Sequence, residues 1–157
     1  MGQIQYTPPP NKPDYGGICV LENTTPITIV TAGVAVQVLD FDTNDPSRGM
    51  VPDYTNGHVT IAKAGDYAIM VSVTINSVAG PASHAHVTVE KNDGASIIGG
   101  LLSARDMAGG AGESGAMTLS GMVTLDVNDT IEVWVSNEST TDNYVMENVS
   151  LMVTQLN

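Results

Sequence analysis

Residues 116–127 read Ala-Met-Thr-Leu-Ser-Gly-Met-Val-Thr-Leu-Asp-Val, so that Met117, Leu119, Gly121, Val123, Leu125 and Val127 alternate with Thr118, Ser120, Thr124 and Asp126. A period of two puts every odd side chain on one side of an extended backbone. Apolar on one side and polar on the other describes an antiparallel strand with one face in a core. Working outward, Val59, Ile61, Tyr67, Ile69, Val71, Val73 and Ile75 form a second odd-numbered stripe. Val87 with Val89, Ile131 with Val133 and Val135, and Val149 with Leu151 and Val153 supply three more. The pattern predicts strands near 18–22, 27–31, 34–41, 58–63, 66–76, 84–91, 95–102, 116–127, 130–137 and 144–156. Turns are expected at Asn56-Gly57, Ala64-Gly65-Asp66, Asn92-Asp93-Gly94 and Asn128-Asp129, where the residues tolerate left-handed backbone. About ten strands and no helix-forming run imply an all-β antiparallel sandwich, a jelly roll, over residues 18–157. Ahead of it, Pro8, Pro9, Pro10 and Pro13 predict an extended, Pro-rich arm over residues 1–17.

Composition narrows the function. The 157 residues suit one domain with a core large enough to need no staples. A single cysteine, Cys19, excludes a disulfide framework and a cysteine-ligated zinc site. Seventeen acids against five bases leave a formal charge of −12, which argues against nucleic acid as a partner. No apolar run approaches the ~18 residues of a membrane span, so no membrane partner is expected. The first residues lack the basic and apolar regions of a signal peptide, so synthesis in a cytoplasm is expected.

Methionines interrupt the polar parity. Met70, Met122, Trp134, Met146 and Met152 fall on the side opposite the core stripe. Gathered together they would form an apolar patch too large for a lone copy, and such patches mark interfaces. These five residues are therefore the expected contact between copies of the chain.

Several segments also resemble the complement-head and tumour-necrosis-factor jelly-roll superfamily. They are Tyr54-Thr-Asn-Gly57-His-Val59-Thr-Ile61 continuing through Gly65-Asp-Tyr67-Ala-Ile69-Met-Val71, Glu113-Ser-Gly115-Ala-Met117-Thr-Leu119, Leu125-Asp-Val127-Asn-Asp129-Thr-Ile131-Glu-Val133-Trp134, and the closing strand 148–156. The order holds over about residues 26–156, although the aromatic positions of the pattern are Ile69 and Val71 here. The resemblance implies a ten-strand jelly roll that closes as a homotrimer. The acidic, aromatic-poor composition in turn resembles accessory proteins of tailed-bacteriophage virions. It implies a non-enzymatic capsid decoration protein whose arm (Tyr6, Pro8, Pro9, Pro10, Lys12 and Tyr15) touches the major capsid protein or another virion protein. A fibre head that binds a receptor or glycan through Thr43–Asp53, Ser103–Gly115 and Ser139–Asn143 is the alternative.

One constellation offers chemistry of another class. His84-Ala-His86-Val-Thr-Val-Glu90 puts two imidazoles and a carboxylate on one parity, with the spacing of the first metal motif of cupins. Two His and a carboxylate suit iron or another divalent metal. No His follows His86, however, so the remaining cupin ligand is missing. The choice lies between a metal site, that of a cupin-like metal-dependent enzyme in one chain or one shared on a three-fold axis, and a solvated strand without cofactor. Asp40, Asp42, Asn44 and Asp45 open like a calcium loop but lack its Gly and Glu, leaving an irregular oxygen-rich site or a solvated acidic loop. Cys19, within Ile18-Cys-Val-Leu21, reads as an inert thiol.

Overall fold

The computed structural model describes residues 12–78, 80–110 and 112–156. Among the described residues, twelve strands form two six-stranded antiparallel sheets. The first sheet has the order β10 (Ser114–Leu125), β7 (Gly65–Ser77), β12 (Tyr144–Gln155), β1 (Tyr15–Leu21), β4 (Thr43–Asn44), with β2 (Pro26–Ile27) also pairing β12. The second has the order β5 (Met50–Asp53), β6 (His58–Ile61), β11 (Thr130–Asn137), β8 (Ser83–Lys91), β9 (Ser96–Met107), with β3 (Val36–Gln37) also pairing β11. Among the described residues there is no helix, so none crosses a membrane.

The odd-numbered stripes meet between the sheets. Ile69, Val71, Val73, Leu119, Leu151 and Val153 from the first sheet face Val59, Ile61, Val87, Val89, Ile131, Val133 and Val135 from the second, all within 4% of full burial. Burial of a Val, Leu or Ile side chain stabilises by roughly 1.5–3 kcal/mol, so this stripe supplies the main drive to fold. Two buried tyrosines keep their hydroxyls satisfied: Tyr144 donates to Ser83 Oγ at 2.9 Å, and Tyr67 donates to the Lys63 carbonyl.

Differences from the sequence reading lie at the margins. The first strand begins at Tyr15, three residues early, because Tyr15 pairs Thr154 across to β12. The segment 34–41 keeps only two strand residues, and the short β4 and β5 were not anticipated, since edge strands this brief carry too few alternations to read. Strand β9 runs on to Met107 after a bulge opposite Thr88–Glu90.

Three of the four anticipated turns adopt left-handed backbone, whereas at Ala64-Gly65-Asp66 no residue has positive φ and Gly65 and Asp66 already belong to β7. Asn92, Asp93 and Gly94 all have positive φ, 58°, 59° and 75°, as do Gly57 and Asn128. A side chain at Gly94 would also meet Trp134 Cζ2 at 2.9 Å. Gly94→Ala is therefore expected to cost about 1–3 kcal/mol, read as a lower thermal midpoint with an altered Trp134 emission.

Asp129 ties that turn to the neighbouring one. It accepts from Asn92 Nδ2 at 2.8 Å, Asp126 N at 3.0 Å and Lys91 Nζ at 3.2 Å. Burial opposes ionisation, but these hydrogen bonds and the Lys91 charge outweigh it and hold the carboxyl below its ordinary range. A folded value below the unfolded one, about 3.9, gives stability that is full above that pH and lost as pH falls through the folded value. Urea midpoints of the wild type should drop more steeply below pH 4 than those of Asp129→Asn.

Candidate functional site

The first sheet presents outward the even-numbered residues of β7, of β10 and, from Asn148 on, of β12, and the odd-numbered residues of β1. Strand register lays them in rows. Thr118, Ser72, Ser150, Cys19 and Thr43 form one row across β10, β7, β12, β1 and β4. The next row runs Ser120, Met70, Met152 and Gly17, and Met122 stands beside Ala68 in the row beyond. The face thus changes from short hydroxyls in its middle to methionines toward the end where the chain enters and leaves.

Met70, Met122 and Met152 are 56%, 76% and 47% exposed in the single chain, and Leu156 adds a fourth apolar side chain at 48%. Met152 lines two shallow grooves. One, about 120 Å³, is walled by Met70, Ser72, Thr118 and Ser150, and the other, about 180 Å³, by Tyr15, Gly17, Asp45 and Pro46. A Cβ on Gly17 would lie 2.7 Å from the Leu151 carbonyl and 3.0 Å from Asp45 Oδ2, so only glycine lets the 43–46 segment lie flat over β1. Cys19 Sγ is 3.5 Å from Asp45 Oδ1, and desolvation, followed by the charge of Asp45, pushes its thiol upward. A raised thiol is a poor nucleophile.

Two of the five expected contact residues belong elsewhere. Met146 is fully buried in the core. The pairing of β12 with β7 slips between Met146 and Asn148, a bulge that moves 144 and 146 to the inside while 148, 150 and 152 stay outside. Trp134 lies on the second sheet, paired with Thr88 and Gln37, its indole N–H pointing to Glu132 Oε2 at 3.4 Å. Met70, Met122 and Met152 do share one face. Of the residues missed by the sequence reading, Ser72, Thr118 and Ser150 gave no signal because small polar residues look like ordinary solvent-facing positions, and Pro46 and Leu156 gave none because they lie outside the alternating strands.

The second sheet's outer face carries His84, His86 and Glu90. Among the described residues, no group of three or more His, Cys, Asp or Glu is placed to hold a metal ion. The reason is spacing along an extended strand: four residues separate His86 from Glu90 by about 13 Å at ~3.3 Å per residue. Parity aligns the three side chains without bringing them together. His84 instead meets Asp106 at 2.5 Å, His86 lies 3.6 Å from Glu138, and the two rings stand edge to face at 4.8 Å. Glu90 is 6% exposed, accepts from Thr88 Oγ1 at 2.8 Å, and sits opposite Glu132. The acidic segment is likewise dispersed: Asp40 accepts from Asn23, Asn44 accepts from the Tyr54 backbone, and Asp45 faces Cys19.

Of the arm residues, Tyr6, Pro8, Pro9 and Pro10 lie outside the described residues. Lys12 is exposed, and Tyr15 belongs to β1 with the Arg48 guanidinium 5.7 Å from its ring centre. The loops Ser103–Gly115 and Ser139–Asn143 meet at one end of the sandwich, where Gly110 N bonds Gly80 O and Val78 N bonds Asn143 O. Thr43–Asp53 does not join them. It runs beside β1 and reaches the opposite end, where Arg48 bridges Tyr15.

No protein-family model and no curated protein sequence matches the chain. Solved structures do. Eiger TNF from S. frugiperda superposes with a TM-score of 0.63 at 13% identity, covering 93% of this chain and 94% of that one. Murine APRIL gives 0.61 at 14% identity over 92% and 100%. The globular domain of zebrafish complement 1qA protein gives 0.57 at 10% identity over 93% and 98%. The described chain therefore has the jelly-roll sandwich of tumour-necrosis-factor-like and complement-head domains.

Proposed function

We propose that the protein is a non-enzymatic structural module that assembles as a homotrimer through the outward face of its first sheet. The observation that carries this reading is the cluster of Met70, Met122, Met152 and Leu156, roughly half or more exposed in one copy, beside a flat row of hydroxyls. Large apolar side chains left in water on one face call for a cover. Three-fold closure hides such a face on every copy at once, leaving no open-ended contact.

Within that reading, the protein decorates a virion capsid, and the arm contacts the major capsid protein or another virion protein. Three arms per trimer give multivalent attachment, in which each weak contact raises the effective concentration of the next. The charge of −12 per copy suppresses non-specific association. With the methionine face around the axis, His84 and His86 point away from it, so this arrangement provides no shared axial metal site. The test combines sedimentation equilibrium with particle binding. The wild type should sediment at three times 16.3 kDa. Deleting residues 1–11, which spares β1, should abolish attachment to particles while leaving the trimer intact. Unchanged attachment would reject the arm's role.

The meeting of loops 103–115 and 139–143 at one end favours a second reading, a fibre head that recognises a receptor or glycan there. Binding arrays of host-surface glycans separate the two: specific capture lost on substitution in loop 107–113 supports the fibre head.

A further inference from the structure

The five basic residues of this acidic chain are unevenly used. Lys91 is held by Asp129 at 3.2 Å, and Arg48 lies 3.6 Å from Asp14. Arg105 packs over Gly115. Lys12 and Lys63 make no ion pair among the described residues, yet both line one cavity of about 550 Å³ together with Pro13, Asp14, Thr154, Gln155 and Leu156. That volume is in the range of small-molecule sites.

The cavity forms where the two ends of the described chain pass each other below β7. Its walls are pinned: Gln155 N donates to the Asp14 carbonyl at 2.8 Å, and Leu156 N donates to the Asp66 carbonyl at 2.8 Å. Tyr67 holds the Lys63 backbone through its hydroxyl. Among the described lining residues the one carboxylate, Asp14, is balanced by Arg48, so those residues leave the two lysines as net positive charge on a molecule of charge −12. Gln155 is 4% exposed, and its Nε2 is buried with no hydrogen-bond partner.

We infer that this cavity binds a small oxyanion, the carboxylate or phosphate group of a small molecule, between Lys12 and Lys63. Two ammonium groups supply the charge, and neither is spent on an ion pair among the described residues. The lining residues belong to one chain, and one of them, Leu156, also borders the methionine face.

The test titrates the full-length protein with inorganic phosphate and, separately, with acetate, holding ionic strength constant with sodium chloride. Amide NMR shifts at Lys63, the Gln155 side chain and Leu156 report occupancy. Saturable shifts are expected for at least one probe, and the tighter probe identifies the group as phosphate or carboxylate. Lys63→Ala, an exposed position that does not threaten folding, should weaken binding roughly tenfold or more. Lys91→Ala makes the same charge change outside the cavity and should leave binding unaltered. Shifts that fail to saturate for both probes, or that weaken equally in Lys63→Ala and Lys91→Ala, would overturn the assignment.

Discussion

Met70→Asp combined with Met152→Asp should reduce the sedimenting mass from three copies to one while leaving the far-UV spectrum and the urea midpoint of the fold nearly unchanged. The two residues are cross-strand partners on β7 and β12, 56% and 47% exposed in the single chain. Substitutions at exposed positions of this kind shift folding stability by about 0.5 kcal/mol or less. At a closed interface the same carboxylates would be buried without partners, which costs several kcal/mol per charge. Three-fold symmetry repeats that cost in every copy. Met70→Ala with Met152→Ala removes apolar area without adding charge, so it should weaken the trimer without abolishing it. A wild type that already sediments as one copy would remove the basis for the proposed assembly.

The second large effect lies inside the sandwich. Leu151→Ala is expected to lower stability by about 2–5 kcal/mol, by the lost transfer energy of the side chain and the cavity left behind. Leu151 is fully buried on β12, in register with Ile18 of β1 and Val71 of β7, both within 1% of full burial. Its neighbours belong to strands held by ladders on both sides, so the site has little room to collapse. The urea midpoint should fall at an unchanged slope. The two variants act oppositely: the aspartates break assembly and spare the fold, whereas Leu151→Ala weakens the fold of every copy without adding charge to the face.

What could be read along the chain was whatever depends on nearest neighbours in sequence. The stripes at 67–75, 117–125 and 149–153 state which side chains face the core, because the strand period is two wherever a strand stays regular. The Asn92-Asp93-Gly94 and Asn56-Gly57 turns were equally legible, because left-handed backbone selects its residues locally. Parity fails at a bulge, and so Met146 was placed outside when one slipped pair at Glu147 turns it in. Parity also says nothing about which sheet a strand joins. Trp134 and Met70 share an outward orientation but lie on opposite sheets, and only the order β10-β7-β12-β1 unites Met70, Met122 and Met152. The same limit explains His84, His86 and Glu90: one face is a local property, while closeness depends on rise per residue and on what neighbouring strands bring.

The amino-acid order by itself thus determined the all-β class, the core stripe, the turns and a resemblance to the jelly-roll superfamily, all consequences of short-range backbone preference and hydrophobic alternation. Tertiary structure alone decided which methionines form a common face, where the histidines find their carboxylates, and that Lys12, Lys63 and Gln155 surround one cavity. Those facts arise from contacts between residues far apart in the chain, and no local periodicity encodes such distances.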